Sequence, residues 1–99
     1  MNYTIRATLY FDRWLHTVRD PLAKAVIVRR TRRAETGNFG DHHPVGGGVS
    51  EMRIDVGAGY RVYHTIRGLK VVFLLCGWNK RTQESDIELA TRLAQEISS

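Results

Sequence analysis

Apolar and polar residues alternate along residues 2–8. This period of two predicts a half-buried β-strand, because successive side chains of a strand point to opposite faces of the sheet. Over residues 11–18 the apolar positions recur at intervals of three and four, which predicts a helix. Asp20 followed by Pro21 indicates the start of a second helix, with an N-cap and a proline at the first helical position. We expect this helix to run to about Glu35. Its thin apolar stripe consists of Ala23, Ile27, Thr31 and Ala34.

Three further strands and a last helix are predicted in the second half of the chain. Residues 37–48 contain five glycines and a proline, and we expect them to form a loop. Strands are predicted at residues 49–56, 60–66 and 70–76, and the short connections between them favour an antiparallel meander. Residues 82–97 have the apolar period of a helix, with acidic side chains in the first turn, where the helix dipole favours them.

These elements predict one α+β domain over residues 1–99, with a small antiparallel sheet and the order β-α-α-β-β-β-α. The chain of 99 residues suffices for one domain, and its 42% hydrophobic and 25% charged residues are typical of a folded protein. A single cysteine, Cys76, excludes an intramolecular disulfide. No apolar run is long enough to cross a membrane, and the amino terminus lacks the apolar core of a signal peptide. We therefore expect a cytoplasmic protein without a membrane partner.

The charge distribution indicates a polyanionic partner. The formal net charge is +5, made up of +8 over residues 1–81 and −3 over residues 82–99. The second predicted helix carries a run of arginines that either follows RNA phosphates or faces an acidic protein. The members of this run proposed to bind RNA are Arg29, Arg30 and Arg33, with Arg32 beside them.

Two arginines are expected to lie side by side on the sheet. The alternation of the strands places Arg53 opposite Arg61 on an exposed face, where like charges are unfavourable unless something offsets them. A guanidinium can hold a phosphate through two parallel hydrogen bonds, so this pair predicts an anion site. The alternative is a pair of solvated arginines that interact with Glu51 and Asp55.

The segment before the last helix offers further candidates. Trp78 can stack on a nucleotide base, or it can pack on the rim of the sheet. Lys80 and Arg81 add positive charge in the same segment, which follows a strand end and is therefore well placed for binding.

The histidines and the cysteine are weaker candidates for chemistry. His42 and His43 are adjacent and have no third ligand placed near them, so they favour no metal site. His64 alternates with the apolar face of its strand, which predicts a packed histidine rather than a catalytic one. Cys76 ends a buried strand and is expected to be a small core residue.

Five segments in order along nearly the whole chain resemble one known superfamily. They are Phe11-x-x-Trp14-Leu15, Gly37-Asn38-Phe39-Gly40-Asp41, Gly48-Val49-Ser50-Glu51-Met52-Arg53-Ile54, Gly59-Tyr60-Arg61-Val62-Tyr63 and Lys80-Arg81-Thr82-Gln83-x-x-Asp86-Ile87-x-x-Ala90. Together they resemble the RelE/ParE toxin superfamily of type II toxin–antitoxin systems, in its HigB-like branch of addiction module killer proteins.

This resemblance implies a fold and two possible activities. The RelE-like members cleave messenger RNA, commonly on the ribosome, without a metal or other cofactor, whereas ParE-like members inhibit DNA gyrase on the same fold. A cognate antitoxin, usually a small helix-turn-helix protein, neutralises the toxin. A third possibility is a basic domain that binds a partner and has no catalytic activity.

In the ribonuclease interpretation, the resemblance also assigns roles to residues. The ribose 2′-hydroxyl attacks the adjacent phosphorus, and the protein must stabilise charge on the phosphate oxygens. Arg53 and Arg61 are expected to do this, with Lys80 assisting from the following segment. Tyr63 is expected to act as a general base or as a platform for base stacking, and Glu51 is expected to orient Arg53.

Overall fold

A five-stranded sheet with helices on both faces forms the fold. The structure, a computed structural model, describes residues 2–77 and 80–97, and at Lys80 the backbone only. The strands are β1 (Thr4–Ala7), β2 (His42–Gly46), β3 (Val49–Ile54), β4 (Tyr60–Arg67) and β5 (Lys70–Gly77), in the order β1-β5-β4-β3-β2. The helices are α1 (Leu9–Thr17), α2 (Pro21–Arg33) and α3 (Gln83–Glu96), with single 3-10 turns at Ala34–Thr36 and Lys80–Thr82.

Both amino-terminal helices begin at side-chain caps. The Thr8 hydroxyl accepts a hydrogen bond from the backbone N–H of Phe11 at 3.2 Å, and the Asp20 carboxylate accepts one from Leu22 at 3.0 Å. The predicted cap and proline of α2 are therefore confirmed. Its predicted apolar stripe is also confirmed as buried, although the α-helix ends two residues earlier than expected and continues as a 3-10 turn.

The sheet contains the predicted meander and two features that the sequence analysis did not include. Strands β3, β4 and β5 pair in antiparallel fashion, as predicted, whereas β1 pairs with β5 in parallel. The prediction of an uninterrupted loop over residues 37–48 is wrong, because β2 occupies residues 42–46 and pairs with β3. Three consecutive glycines with positive φ, Gly46 to Gly48, make the tight turn between β2 and β3.

The sheet divides the core into two layers. On one face, α1 and α2 pack against apolar side chains that include Met52, Ile54 and Val62. On the other face, Ala90, Leu93 and Ala94 of α3 pack against a second set of apolar side chains. Within the described ranges, no helix is long and apolar enough to cross a membrane.

The second layer corrects one expectation. The face that carries Arg53 and Arg61 is predicted to be exposed; this is confirmed for Arg53, whose side chain is 57% exposed, but wrong for the part with Glu51 and Tyr63, because α3 packs there. Glu51 and Tyr63 are both 0% exposed.

Candidate functional site

A buried carboxylate lies at the centre of the polar residues on the α3 face. Glu51 Oε2 accepts a hydrogen bond of 3.1 Å from Gln83 Nε2 at the start of α3. Glu51 Oε1 lies 3.5 Å from Arg61 Nε, 3.7 Å from His43 Nε2 and 3.8 Å from Arg53 Nε. Among the described residues, Oε1 has no partner at hydrogen-bonding geometry. We call these five residues, His43, Glu51, Arg53, Arg61 and Gln83, the Glu51 cluster.

The register of three strands produces this arrangement. His43 of β2 lies opposite Glu51 of β3, and Arg53 lies opposite Arg61 of β4, as the sequence predicted for the arginines. Directly opposed residues of an antiparallel pair share a face, and so do residues two apart on one strand. The Glu51 carboxylate between the arginines offsets the repulsion that two opposed guanidinium groups would otherwise experience.

Exposure increases from the carboxylate outward. The side chain of Glu51 is 0% exposed, that of Arg61 18%, that of His43 42% and that of Arg53 57%. Both arginines line a pocket of about 340 Å³, together with Asp41, Asp55, Tyr60 and their neighbours. The buried carboxylate therefore holds cationic side chains that remain accessible from a concave surface, which is an arrangement suited to binding an anion.

The backbone of Arg53 is fixed on both sides. Its N–H donates to the Asp41 carbonyl at 2.9 Å, and its carbonyl accepts a hydrogen bond of 3.0 Å from Arg30 Nη1. Arg30 Nη2 donates to the Phe39 carbonyl at 3.2 Å. Gly40 has a φ of +62°, and a Cβ atom there would lie 2.6 Å from Arg30 Nη2. Arg30, predicted to bind RNA, instead uses its guanidinium to hold the segment before β2 against β3.

Tyr63 does not have the surroundings that its predicted roles require. A general base needs a lowered pKa, but burial raises the pKa of Tyr63, and the Glu51 carboxylate raises it further. A stacking platform needs an accessible ring, and Tyr63 is 0% exposed. Its position opposite Glu51 makes it part of the packing beneath the cluster.

A second carboxyl group lies near the arginine side of the cluster. Burial raises the pKa of Asp86 on α3, while a hydrogen bond of 3.0 Å from the Thr82 hydroxyl and the charge of Arg61 act in the opposite direction. Arg61 therefore has acidic neighbours from both β3 and α3, and their charges stabilise its guanidinium group.

The remaining predicted RNA-binding residues are not gathered at the cluster. Arg29 and Arg33 are exposed on α2 and line a separate depression of about 750 Å³. Since α2 packs on the other face of the sheet, the structure does not bring these arginines together with Arg53. Arg81 is exposed in the 3-10 turn before α3. Trp78 and the side chain of Lys80 lie outside the described residues.

His64 and Cys76 are core residues, as predicted. The His64 ring stacks on Phe39 with 5.0 Å between ring centroids and 4° between planes. Burial lowers the pKa of His64 to about 4, with a smaller contribution from His42, so the imidazole is neutral at physiological pH. Burial likewise raises the pKa of the Cys76 thiol to about 12.

The two adjacent histidines of β2 lie on opposite faces. The His42 ring contacts Phe39 at 5.4 Å between centroids, whereas His43 faces Glu51. In the part of the chain that the structure describes, no group of three histidine, cysteine or acidic side chains is placed to hold a metal ion.

Sequence reasoning missed His43 and Gln83 as members of the cluster. The alternation of residues 42–46 would have placed His43 on the face of Glu51 if that segment had been recognised as a strand. Gln83 carried no comparable signal, because its contact with Glu51 depends on how α3 packs.

Comparison with known proteins gives one sequence relative and a known fold. No protein-family model matches the sequence. An uncharacterized protein of Haemophilus influenzae is 47% identical over 97 residues, which cover 98% of each chain. A chain of the toxin–antitoxin complex RelBE2 from Mycobacterium tuberculosis superimposes with a TM-score of 0.67 and 22% identity, over 80% of this chain and 100% of that one.

A second solved structure covers almost the whole chain. The Escherichia coli toxin RelE, as a double arginine-to-alanine mutant in the free state, gives a TM-score of 0.72 and 9% identity, over 99% of this chain and 100% of that one. The protein therefore belongs to one family with the Haemophilus influenzae protein, and it has the fold of the RelE toxins.

Proposed function

We propose that this protein is the toxin of a type II toxin–antitoxin module and that it cleaves messenger RNA at the Glu51 cluster. The observation that carries the proposal is the pair of arginines held side by side by a buried carboxylate on the wall of a pocket. The solved structures that share the fold are a toxin and a toxin–antitoxin complex, which supports the toxin assignment.

The reaction proposed for this site needs no cofactor. The ribose 2′-oxygen attacks the adjacent phosphorus, the 5′-oxygen leaves, and negative charge increases on the phosphate oxygens in the transition state. Arg53 and Arg61 stabilise that charge, since both side chains remain accessible while Glu51 fixes their positions. Lys80 assists them and Trp78 stacks on a base, as the sequence suggested. Tyr63 and Glu51 act as positioning residues.

Basic surfaces outside the pocket are assigned to binding RNA, the ribosome and the antitoxin. The exposed arginines Arg29 and Arg33, with Arg81 before α3, contact RNA or the ribosome through phosphate groups. The partner is a small helix-turn-helix antitoxin, whose acidic or amphipathic segment neutralises the toxin by covering basic surface. HigB-like kinship and a requirement for the ribosome remain predictions from the sequence resemblance.

Induced expression followed by primer extension on a translated messenger RNA tests the proposal. The wild-type chain is expected to arrest growth and to cut the message within its coding region, whereas Arg61→Ala does neither. Arg92→Ala is the matched control, because it removes an exposed arginine of α3 outside the cluster and is expected to behave like the wild type.

A stability measurement must accompany this comparison. Arg61→Ala removes a partner of a buried carboxylate, so a thermal melt is needed to show that the variant remains folded. The more exposed Arg53→Ala provides a second variant with less effect on the core. Growth arrest with an intact message and inhibited gyrase supercoiling would overturn the ribonuclease proposal, and a fully active Arg61→Ala would overturn the site.

The antitoxin is tested by affinity capture of the inactive Arg61→Ala chain from cells that carry the native locus. We expect to recover one small protein, in stoichiometric amount, that binds the basic surface of this chain. Capture of no small partner would contradict the proposed pairing.

A further inference from the structure

One accessible side chain of the Glu51 cluster has an imidazole group. His43 lies on β2, a strand that the sequence pattern did not reveal, and its side chain is 42% exposed. Its Nε2 atom lies 3.7 Å from Glu51 Oε1, and the same oxygen lies 3.5 Å from Arg61 Nε. An imidazole is thus positioned beside the two arginines by a shared carboxylate.

We propose that His43 is the general base of the RNA cleavage, accepting the proton of the attacking 2′-hydroxyl. This inference rests on the proposed function and adds to it a catalytic residue that neither the sequence analysis nor the comparisons identified. Histidine is suited to the role because it exchanges a proton near neutral pH.

Glu51, Tyr63 and His64 are buried and less accessible than His43, whereas Asp41 and Asp55 are exposed in the pocket that the arginines line. Glu51 is 0% exposed and already accepts a hydrogen bond from Gln83, so substrate cannot reach it directly. Tyr63 is equally buried. His64 is 1% exposed and packs between aromatic rings on the opposite face. His42 is exposed, but it lies on that same opposite face, with its Nδ1 atom 2.9 Å from the Gly40 carbonyl.

In the proposed transfer His43 carries its resting proton on Nε2, the atom that lies 3.7 Å from Glu51 Oε1, and accepts the 2′-hydroxyl proton on Nδ1. The O2′–P bond forms, the P–O5′ bond breaks, and the 5′-oxygen takes a proton from solvent water. The products are a 2′,3′-cyclic phosphate and a 5′-hydroxyl. His43 then returns its proton to solvent.

Glu51 has a second effect in this scheme. Its carboxylate stabilises the imidazolium that forms during attack, just as it holds the guanidinium groups in place. Glu51 is therefore a positioning residue for all three side chains, and His43 is the only one of them that changes its protonation during the reaction.

The test uses the full chain in single-turnover cleavage of RNA on programmed ribosomes. We expect His43→Gln to lower the maximal cleavage rate by 100-fold or more, within the range of about 10²–10⁴ typical of general acid–base catalysis. The protein concentration that gives half-maximal rate is expected to change by less than about threefold. His42→Gln is the matched control on the same strand and is expected to retain the wild-type rate.

Chemical rescue separates catalysis from a structural role. His43→Gly leaves space beside Glu51, and free imidazole in the buffer is expected to restore a concentration-dependent part of the rate. A merely structural role for His43 predicts no rescue. A thermal melt of each variant shows whether loss of rate accompanies loss of the fold.

The outcomes distinguish this inference from the function on which it rests. If His43→Gln cleaves like the wild type while Arg61→Ala is inactive, the role of His43 is overturned and the ribonuclease proposal survives. If the wild type leaves RNA intact, both are overturned. Loss of rate in His43→Gln with imidazole rescue of His43→Gly supports both.

Discussion

The two faces of the sheet give their histidine side chains opposite surroundings. On the α2 face, His42 and His64 meet the rings of Phe39 and Phe73, and the buried His64 is neutral. On the α3 face, His43 approaches a buried carboxylate that also pairs with two arginines. Two adjacent histidines of one strand therefore belong to different environments.

The difference shows what determines the chemistry of a side chain in this fold. A histidine buried among apolar groups loses its affinity for a proton, because desolvation penalises the charged form. A buried carboxylate stays ionised only where cationic groups compensate the cost of removing it from water. The side of the strand, rather than the residue type, separates a packing residue from a candidate catalytic one.

The largest stability effect is expected at the centre of the α3 face. Glu51→Ala removes the carboxylate that compensates Arg61, and breaking a buried pair costs about 3–5 kcal/mol. Because the side chain of Arg61 retains 18% exposure, we expect a loss near the lower limit, about 3 kcal/mol. Urea unfolding measures it.

Glu88→Ala is the control for this change, since it removes an exposed carboxylate from α3. It is expected to change the free energy of unfolding by less than about 0.5 kcal/mol. Equal losses in the two variants would contradict the central place given to Glu51.

The buried His64 on the α2 face predicts that the free energy of unfolding depends on pH. The pKa of His64 is about 4 in the folded protein and 6.5 in an ordinary environment, so the unfolded chain binds more protons between these values. Above pH 6.5 the imidazole is neutral in both states, and its burial carries no cost from ionisation. As pH falls toward 4, the unfolded chain binds a proton that the buried His64 does not, so the folded state loses stability. From pH 7 to pH 5 the preferential protonation of the unfolded chain at His64 lowers the free energy of unfolding by about 2 kcal/mol.

Comparison with His64→Gln isolates that contribution from the other titrating groups. Urea unfolding at pH 7 and pH 5 is expected to show a smaller loss for the variant than for the wild type. The same loss in both proteins would mean that His64 is not the neutral packed residue described here.

A smaller effect is expected where Arg30 joins the segment before β2 to β3. Gly40→Ala places a methyl group against the Arg30 guanidinium, at a backbone φ of +62°. Gly68→Ala imposes nearly the same backbone strain, with φ at +60°, but meets nothing within 4 Å. We expect Gly40→Ala to cost about 1 kcal/mol more than Gly68→Ala in urea unfolding, since a close contact adds to the strain.

The cleavage rate is also expected to differ between Gly40→Ala and Gly68→Ala. Displacement of Arg30 releases the carbonyl of Arg53, so Gly40→Ala is expected to slow cleavage while Gly68→Ala does not. Identical stability and rate in both variants would remove the positioning role of Arg30.

The smallest effect is expected on the exposed surface of α2. Arg29→Ala and Arg33→Ala each remove one exposed charge far from the Glu51 cluster, which weakens electrostatic attraction to RNA. We expect the half-saturating concentration to rise a few-fold while the maximal cleavage rate stays constant. A large loss of maximal rate in either variant would place the active surface on α2 instead.

Much of the fold followed from hydrophobic periodicity. The N-cap of α2, its apolar stripe and the opposition of Arg53 and Arg61 all depend on short-range patterns that the sequence contains. Strand β2 was missed because it is an edge strand of only five residues, contains Pro44 and has no run of apolar side chains. Its pairing with β3 depends on tertiary structure rather than on its own composition.

The centre of the site was harder to predict. Alternation placed Glu51 beside Arg53 and Arg61 on one face, but it did not show that α3 would bury the carboxylate. The arginines of α2 look equivalent in the sequence, yet within the described residues only Arg30 donates hydrogen bonds to the segments around the site. Burial and long-range hydrogen bonding, which distinguish these residues, are properties of the packed molecule.

The most direct measurement of the central claim is the chemistry of the RNA ends after single-turnover cleavage by the wild type and by Arg61→Ala. We predict cut RNA with 2′,3′-cyclic phosphate and 5′-hydroxyl ends for the wild type. Loss of Arg61 is expected to lower the rate by about 10²–10³, as for removal of one group that stabilises a developing charge. Intact RNA, 5′-phosphate ends or an undiminished rate for Arg61→Ala would contradict the account.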